Sequence, residues 1–82
     1  MPPQHSSLHF MHLAIKQALE AYKSDEVPVG AIVVKNQIVV GTGYNQVISD
    51  HSVSSHAEIN AINNASKNIE NYRLLDCDIY VT

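Results

Sequence analysis

The 82-residue sequence has little cysteine, a deficit of positive charge and no long apolar run. Its one cysteine, Cys77, excludes a disulfide within the chain, which agrees with a reducing compartment. The net charge of −3 argues against a generally basic surface for nucleic acid, although a local patch would still contact phosphates. No apolar segment approaches the ~20 residues that cross a membrane, and the N-terminus lacks the features of a signal peptide. We therefore expect a cytoplasmic protein without a membrane partner.

Several kinds of functional site are also missing. The sequence contains no Gly-rich phosphate loop, no Ser/His/Asp arrangement and no internal repeat. Cys77 has no C-x-x-C partner, so we expect a half-buried small side chain there rather than a metal ligand. The composition, 45% hydrophobic and 16% charged, is that of one small globular domain. Because so short a chain buries a modest core, we expect a larger parent protein or an oligomer.

Hydrophobic periodicity predicts the regular elements. An amphipathic helix is expected over residues 8–23, with a buried stripe made of Leu8, Met11, Ile15, Ala18, Leu19 and Tyr22. Two β-branched runs, residues 29–34 and 38–44, predict a hairpin. The first run is almost continuously apolar, which is typical of a strand covered by helices on both faces. A second helix is expected to begin near Ala57, and a third strand within residues 77–82.

The segment Ser55-His56-Ala57-Glu58 carries the chemistry that the rest of the chain lacks. An imidazole at a helix start can bind zinc, and a carboxylate two residues later projects differently and can reach a metal-bound water. This is the H-x-E element of zinc nucleobase deaminases. Ser55 and Glu58 also have the spacing of a capping box, in which both side chains would bind backbone N–H groups. Zinc needs three or four protein ligands, and the P-C-x-x-C segment that completes a deaminase site is absent from this sequence.

Five segments occur in a characteristic order: Glu26-Val27-Pro28-Val29-Gly30-Ala31, Gly43-Tyr44-Asn45, His56-Ala57-Glu58, Asn71-Tyr72-Arg73-Leu74 and Tyr80-Val81-Thr82. Together they resemble the bacterial tRNA-specific adenosine deaminase family, which has the cytidine deaminase-like fold. The resemblance implies an α/β protein with three α/β/α layers and a mixed sheet, truncated after its third strand. Residues 1–82 would then be the N-terminal part of a single deaminase domain (helix, β-hairpin, helix, strand), with the half that holds P-C-x-x-C outside the chain.

The resemblance also implies roles for particular residues. His56 would be the first zinc ligand and Glu58 the proton shuttle, while Asn45 would contact the nucleoside and Val27 and Ala57 would line its pocket. Zinc would activate water for attack on C6 of adenine, and Glu58 would pass protons to N1 and to the departing amine. The implied reaction converts the wobble adenosine of a tRNA anticodon to inosine. The implied partners are the anticodon stem-loop and a second copy of the protein.

Alternatives remain open at this point. Asn45 also suits a residue that begins a turn, because asparagine side chains bind nearby backbone groups. The chain would be a catalytically inactive fragment or interaction module if nothing supplies the missing ligands, and alone it is expected to be inactive. Related deaminases that act on free guanine or cytosine share His-Ala-Glu. Gln46-Val47 and Ser52-Val53 depart from the Arg-Pro and Asp-Pro pairs frequent in the family, which bears on how the loop contacts RNA.

Overall fold

The computed structural model describes residues 6–51, 55–69 and 76–82. The elements follow in the order α1 (Ser7–Lys23), β1 (Gly30–Lys35), β2 (Ile38–Tyr44), α2 (Ala57–Asn68) and β3 (Cys77–Val81). Each lies within a residue or two of the position that hydrophobic periodicity predicts. The segment Asn71-Tyr72-Arg73-Leu74 and the pair Ser52-Val53 lie outside the described residues.

The three strands form one sheet in the order β2-β1-β3. A two-residue turn joins β1 to β2, and both of its residues, Asn36 and Gln37, have the positive φ angles (51° and 67°) that the tight hairpin turn requires. β3 pairs with the other edge of β1, and both pairings are antiparallel. The expected mixed character of the sheet is therefore not found among the described strands.

The two helices cover opposite faces of the sheet, because alternate side chains of β1 point to opposite sides. Ile32 and Val34 pack with Phe10 and Ala14 of α1. Ala31 and Val33 pack on the other side, in a cluster with three alanines of α2, namely Ala57, Ala61 and Ala65. The three α/β/α layers that the sequence predicts are thus confirmed, and the central strand is buried between them.

The face of α1 that packs on the sheet differs from the predicted one. Its buried residues are Phe10, Ala14, Ala18 and Ala21. Leu8, Ile15, Leu19 and Tyr22 of the predicted stripe are exposed instead, at 48–68%. Small residues are needed on the buried face because α1 lies so close to β1 that a Cβ on Gly30 would stand 2.1 Å from the Ala14 carbonyl oxygen. Among the described residues, no helix is long and apolar enough to cross a membrane.

Asparagine side chains on α2 bind the outer strand β2. Asn60, Asn64 and Asn68 recur every four residues, so they lie on one side of the helix. Their Nδ2 atoms donate to the backbone carbonyls of Tyr44 (2.9 Å), Thr42 (2.6 Å) and Val40 (2.6 Å), respectively. An edge strand leaves every second carbonyl without a strand partner, and this asparagine ladder satisfies three of them. The ladder also fixes the position of α2 along the strand.

Candidate active site

The H-x-E motif lies at the end of the sheet where β2 finishes and β1 begins. α2 starts directly above Gly43, and a Cβ at that position would stand 2.4 Å from the Ala61 nitrogen and 2.6 Å from the Ala57 oxygen. Only glycine fits this approach, so the first turn of α2 touches the backbone of β2. The contact buries Ala57, which is 1% exposed and packs in the apolar cluster under the helix.

His56 is the N-cap residue of α2 and has extended backbone angles, φ −81° and ψ 156°. Its carbonyl accepts a hydrogen bond from the Asn60 backbone N–H at 3.0 Å, which begins the helix. Its imidazole makes no capping hydrogen bond and is exposed. The first sequence-predicted site residue is therefore exposed at the helix start, and its side chain takes no part in capping.

The capping-box interpretation of Ser55 and Glu58 is wrong. The buried Ser55 hydroxyl donates to the Asp50 carboxylate at 2.6 Å and accepts from the Asn60 side-chain amide at 3.1 Å. The N-cap residue is His56, one residue after Ser55, and the Ser55 oxygen accepts from the Asn60 side chain, so Ser55 does not cap the helix. Within the described residues, the half-buried Glu58 carboxylate makes no hydrogen bond or ion pair, and its position in the first turn is favourable for negative charge.

Asn45 and Val27 meet beside this helix start. The Asn45 side chain is 7% exposed, and its Nδ2 donates to the Val27 carbonyl at 3.3 Å. Its Oδ1 accepts from the Val47 N–H at 3.4 Å, which is the turn contact expected of a loop-starting asparagine. One N–H and one lone pair of the amide remain for a ligand. Val27 is 63% exposed, so its side chain is accessible to one.

Glu26 belongs to the same end of the molecule and was not predicted as a site residue. Its carboxylate is 5% exposed and accepts from the Ile48 N–H (2.9 Å), the Ser49 N–H (2.6 Å) and the Ser49 hydroxyl (2.7 Å). Burial by itself would raise the pKa of Glu26, but the hydrogen bonds from Ile48 and Ser49 outweigh it and lower the pKa. The only sequence signal was an acidic residue directly before the Val27-Pro28 pair, in the first of the resembling segments.

The described residues do not by themselves form a zinc site. No three of their His, Cys, Asp and Glu side chains converge as a metal would require. His56 supplies one candidate ligand, and a tetrahedral site needs two or three more from protein. Cys77 pairs with Lys35 at the far end of β1 from Gly30, so it is remote from His56. It is half-buried beside the alanine cluster under α2, as expected of a small structural side chain.

Comparisons with known proteins point to one enzyme superfamily. Residues 4–82 match the family described as the cytidine and deoxycytidylate deaminase zinc-binding region. The tRNA-specific adenosine deaminase of Buchnera aphidicola subsp. Schizaphis graminum is 46% identical over 74 residues, which cover 90% of this chain and 49% of that protein. The Haemophilus influenzae tRNA-specific adenosine deaminase is 42% identical over 73 residues, 88% of this chain and 42% of that protein. The chain thus spans about half the length of these relatives.

Two solved structures extend the similarity to the fold. One comes from studies of A-to-I editing by tRNA:A34 deaminases at the wobble position, with a TM-score of 0.87 and 39% identity over 92% of this chain and 54% of that one. The other is a guanine deaminase from Bacillus subtilis, with a TM-score of 0.88 and 31% identity over 94% of this chain and 50% of that one. Both superpose on nearly all of this chain.

Proposed function

The chain belongs to the cytidine and deoxycytidylate deaminase zinc-binding family, and from that membership we propose that it forms the N-terminal part of a tRNA adenosine deaminase domain. The proposed reaction is the zinc-dependent hydrolysis of the wobble adenosine of a tRNA anticodon to inosine. The observation that carries the proposal is the 46% identity to a tRNA-specific adenosine deaminase over 90% of the chain. A stretch of that length includes the helix start that carries His56 and Glu58.

Each predicted site residue has a role in this proposal. His56, exposed at the helix start, would be one zinc ligand, and the other protein ligands would come from outside these 82 residues. A bound zinc ion would activate water for attack on the carbon that carries the amino group. Glu58 would hold and move protons between that water, the ring nitrogen and the departing amine. Its lack of a hydrogen-bond partner among the described residues supports this role.

Substrate contacts are proposed for three residues. Asn45 would use its remaining N–H and lone pair to hold the nucleoside, and exposed Val27 would form an apolar wall of the pocket. Ala57 is buried under the helix, so in this proposal its backbone, more than its methyl group, would border the base. We further propose that the protein is a cytoplasmic homodimer. Its proposed substrate is the anticodon stem-loop, in which the anticodon bases are splayed out and accessible.

A free-base deaminase is the second candidate, favoured by the similarity to the Bacillus subtilis guanine deaminase. The identity of 31% is lower than the 46% to the tRNA-specific relative, which is why we prefer the tRNA substrate. The remaining alternative is a catalytically inactive fragment. If its own residues no longer support the reaction, it predicts no deamination even when the missing ligands are supplied.

A chimaera tests these candidates. The completed chimaera consists of residues 1–82 followed by the C-terminal part of the tRNA-specific adenosine deaminase of Buchnera aphidicola subsp. Schizaphis graminum. That part begins where the segment of the Buchnera protein that matches this chain ends. We expect it to convert adenosine to inosine in an anticodon stem-loop RNA, measured by nucleoside chromatography, and to release no ammonia from guanine. Ammonia release from guanine alone would establish the second candidate, and no reaction with either substrate would favour the inactive fragment.

Glu58→Gln in the completed chimaera tests the proton-transfer role. We expect inosine formation to fall by about 10²–10⁴-fold with zinc retained, because general acid–base catalysis contributes effects of this size. Glu20→Gln is the matched control, since Glu20 is exposed on α1 and forms a surface ion pair with Lys23 at 3.4 Å. Near-normal turnover in Glu58→Gln would refute the role.

A further inference from the structure

Glu26 is the one buried side chain with a formal charge among the described residues. Such groups are costly to bury unless they are paired or fully hydrogen-bonded. The Glu26 carboxylate meets this condition with both oxygens: Oε1 accepts from Ile48, and Oε2 accepts from the backbone and the hydroxyl of Ser49. All three donors lie on the loop that follows Asn45, so one charged side chain holds that loop against the end of α1.

The Asn45 side chain also bridges two segments of the chain, residues 26–27 and residues 47–49. The segment 26–27 bears the Glu26 carboxylate and the Val27 carbonyl, and the segment 47–49 bears the three N–H groups and the hydroxyl that complete the contacts. Glu26 therefore reaches from the first segment to the second, and the Asn45 amide touches both. We call these five hydrogen bonds the Glu26–Asn45 clamp.

The strengths of the two halves of the clamp differ. The bonds to the carboxylate are 2.6–2.9 Å long and charge-assisted, whereas those to the Asn45 amide are 3.3 and 3.4 Å long. The longer contacts hold the amide less firmly than the short ones hold the carboxylate. The strong contacts join Glu26, which directly precedes Val27, to Ile48 and Ser49, which directly follow Val47. Val27 and Val47 bear the two backbone groups that orient the amide.

We propose that Glu26 is a positioning residue that fixes the orientation of the Asn45 side chain through the loop between them. The proposal rests on the proposed function in taking Asn45 as a substrate contact. The benefit is preorganisation: a side chain already held in its binding geometry loses less freedom when the substrate arrives. The lowered pKa of Glu26 keeps its carboxylate ionised near neutral pH, the form in which both oxygens accept.

A double-mutant cycle in the completed chimaera tests the proposal. Glu26→Gln replaces one acceptor oxygen by a donor amide that faces an N–H, at nearly constant side-chain size. We expect kcat/KM for the anticodon stem-loop to fall by about tenfold, mainly through KM, as expected for loss of preorganised binding. In the Asn45→Ala variant, adding Glu26→Gln should lower kcat/KM by less than about twofold, because both changes remove the same contact.

Other outcomes of the cycle would overturn the proposal. If the two losses multiply, Glu26 acts independently of Asn45 and supports the fold in general. An unchanged kcat/KM in Glu26→Gln would mean that the loop needs no such anchor. Ser49→Ala serves as a milder variant if Glu26→Gln fails to fold, since it removes the hydroxyl and leaves both backbone bonds. Ser49→Ala should raise KM by a smaller factor than Glu26→Gln does. Its effect on kcat/KM should likewise be smaller when Asn45 is already alanine.

Amide hydrogen exchange on the 82-residue chain separates failure of this proposal from failure of the proposed function. In Glu26→Gln we expect faster exchange at Ile48 and Ser49 and a shifted Asn45 side-chain amide signal, with Ile32 in the central strand unchanged. Ser66→Ala on α2, outside the clamp, is the control and should leave all these signals in place. If the chimaera is inactive towards RNA but these signals change, the clamp stands and the tRNA function fails. An unchanged Asn45 signal would refute the clamp whatever the activity.

Discussion

The two helices are held on the sheet in different ways. α1 packs through an aromatic side chain: Phe10 is 2% exposed and lies against Tyr80, with the ring centroids 5.3 Å apart. α2 packs without any large side chain, because its buried residues are all alanines and the strand below it has Gly41 and Gly43. Both helices approach the sheet closely at glycines, and α1 alone adds a large aromatic side chain to the core.

Polar contacts add to this difference. The asparagine ladder joins α2 to β2 at three carbonyls. Apolar packing stabilises without directional preference, whereas backbone contact and hydrogen bonds define position. The helix that carries His56 and Glu58 is the one whose position is defined. We infer that the α1 side contributes most of the stability and that the α2 side sets the site geometry.

The largest effect on stability is therefore expected on the α1 side. Phe10→Ala should lower the free energy of unfolding of the 82-residue chain by about 3–5 kcal/mol, as in other cores that lose a buried phenylalanine. Leu19→Ala is the matched control: Leu19 is 52% exposed on the same helix, so its loss should cost under about 1 kcal/mol. Urea denaturation measures both values. Equal losses would mean that α1 packs through the face that hydrophobic periodicity predicts.

That control addresses the main error of the sequence prediction. α1 is apolar on two adjacent sides, and periodicity favoured the side with more large residues, including Leu8, Leu19 and Tyr22. The alanine-rich side packs on the sheet because Gly30 lets the helix approach β1. A match between small residues on two elements cannot be recognised from the sequence pattern of either element alone. The element order and the layers were predictable because they depend on the apolar β1 run and on turn residues.

The candidate site was predictable in its residues but not in its connections. His56 and Glu58 could be located from the motif, since the helix start was readable from sequence. The Glu26 contacts link positions 22 and 23 residues apart, and no local pattern encodes such a pairing. The capping interpretation of Ser55 failed because the helix begins one residue later than that pattern places it, with His56 as the N-cap residue.

An intermediate effect is expected where α2 touches β2. Gly43→Ala would place a methyl group 2.4 Å from the Ala61 nitrogen, so helix and strand must separate, at a cost of about 1–3 kcal/mol in the free energy of unfolding. Because the clash is with backbone, the added change Ala61→Gly should not restore stability. Urea denaturation of the single and double variants decides this, and full rescue by Ala61→Gly would show that side chains, rather than backbone, make the contact. In the completed chimaera, Gly43→Ala should also reduce inosine formation more than Leu19→Ala does.

The smallest effect is expected from one rung of the asparagine ladder. Asn64→Ala removes the 2.6 Å hydrogen bond to the Thr42 carbonyl, and the net contribution of such a bond is about 0.5–1.5 kcal/mol. The change also introduces a better helix former, which offsets up to about 0.7 kcal/mol of the loss. Asn63→Ala corrects for this gain, because Asn63 is exposed on the same helix and makes no side-chain hydrogen bond among the described residues. We therefore expect Asn63→Ala to be neutral or slightly stabilising and Asn64→Ala to be less stable than Asn63→Ala by the value of the bond. Thermal unfolding of the two variants side by side measures the difference, and identical transitions would show that the ladder does not hold α2 in place.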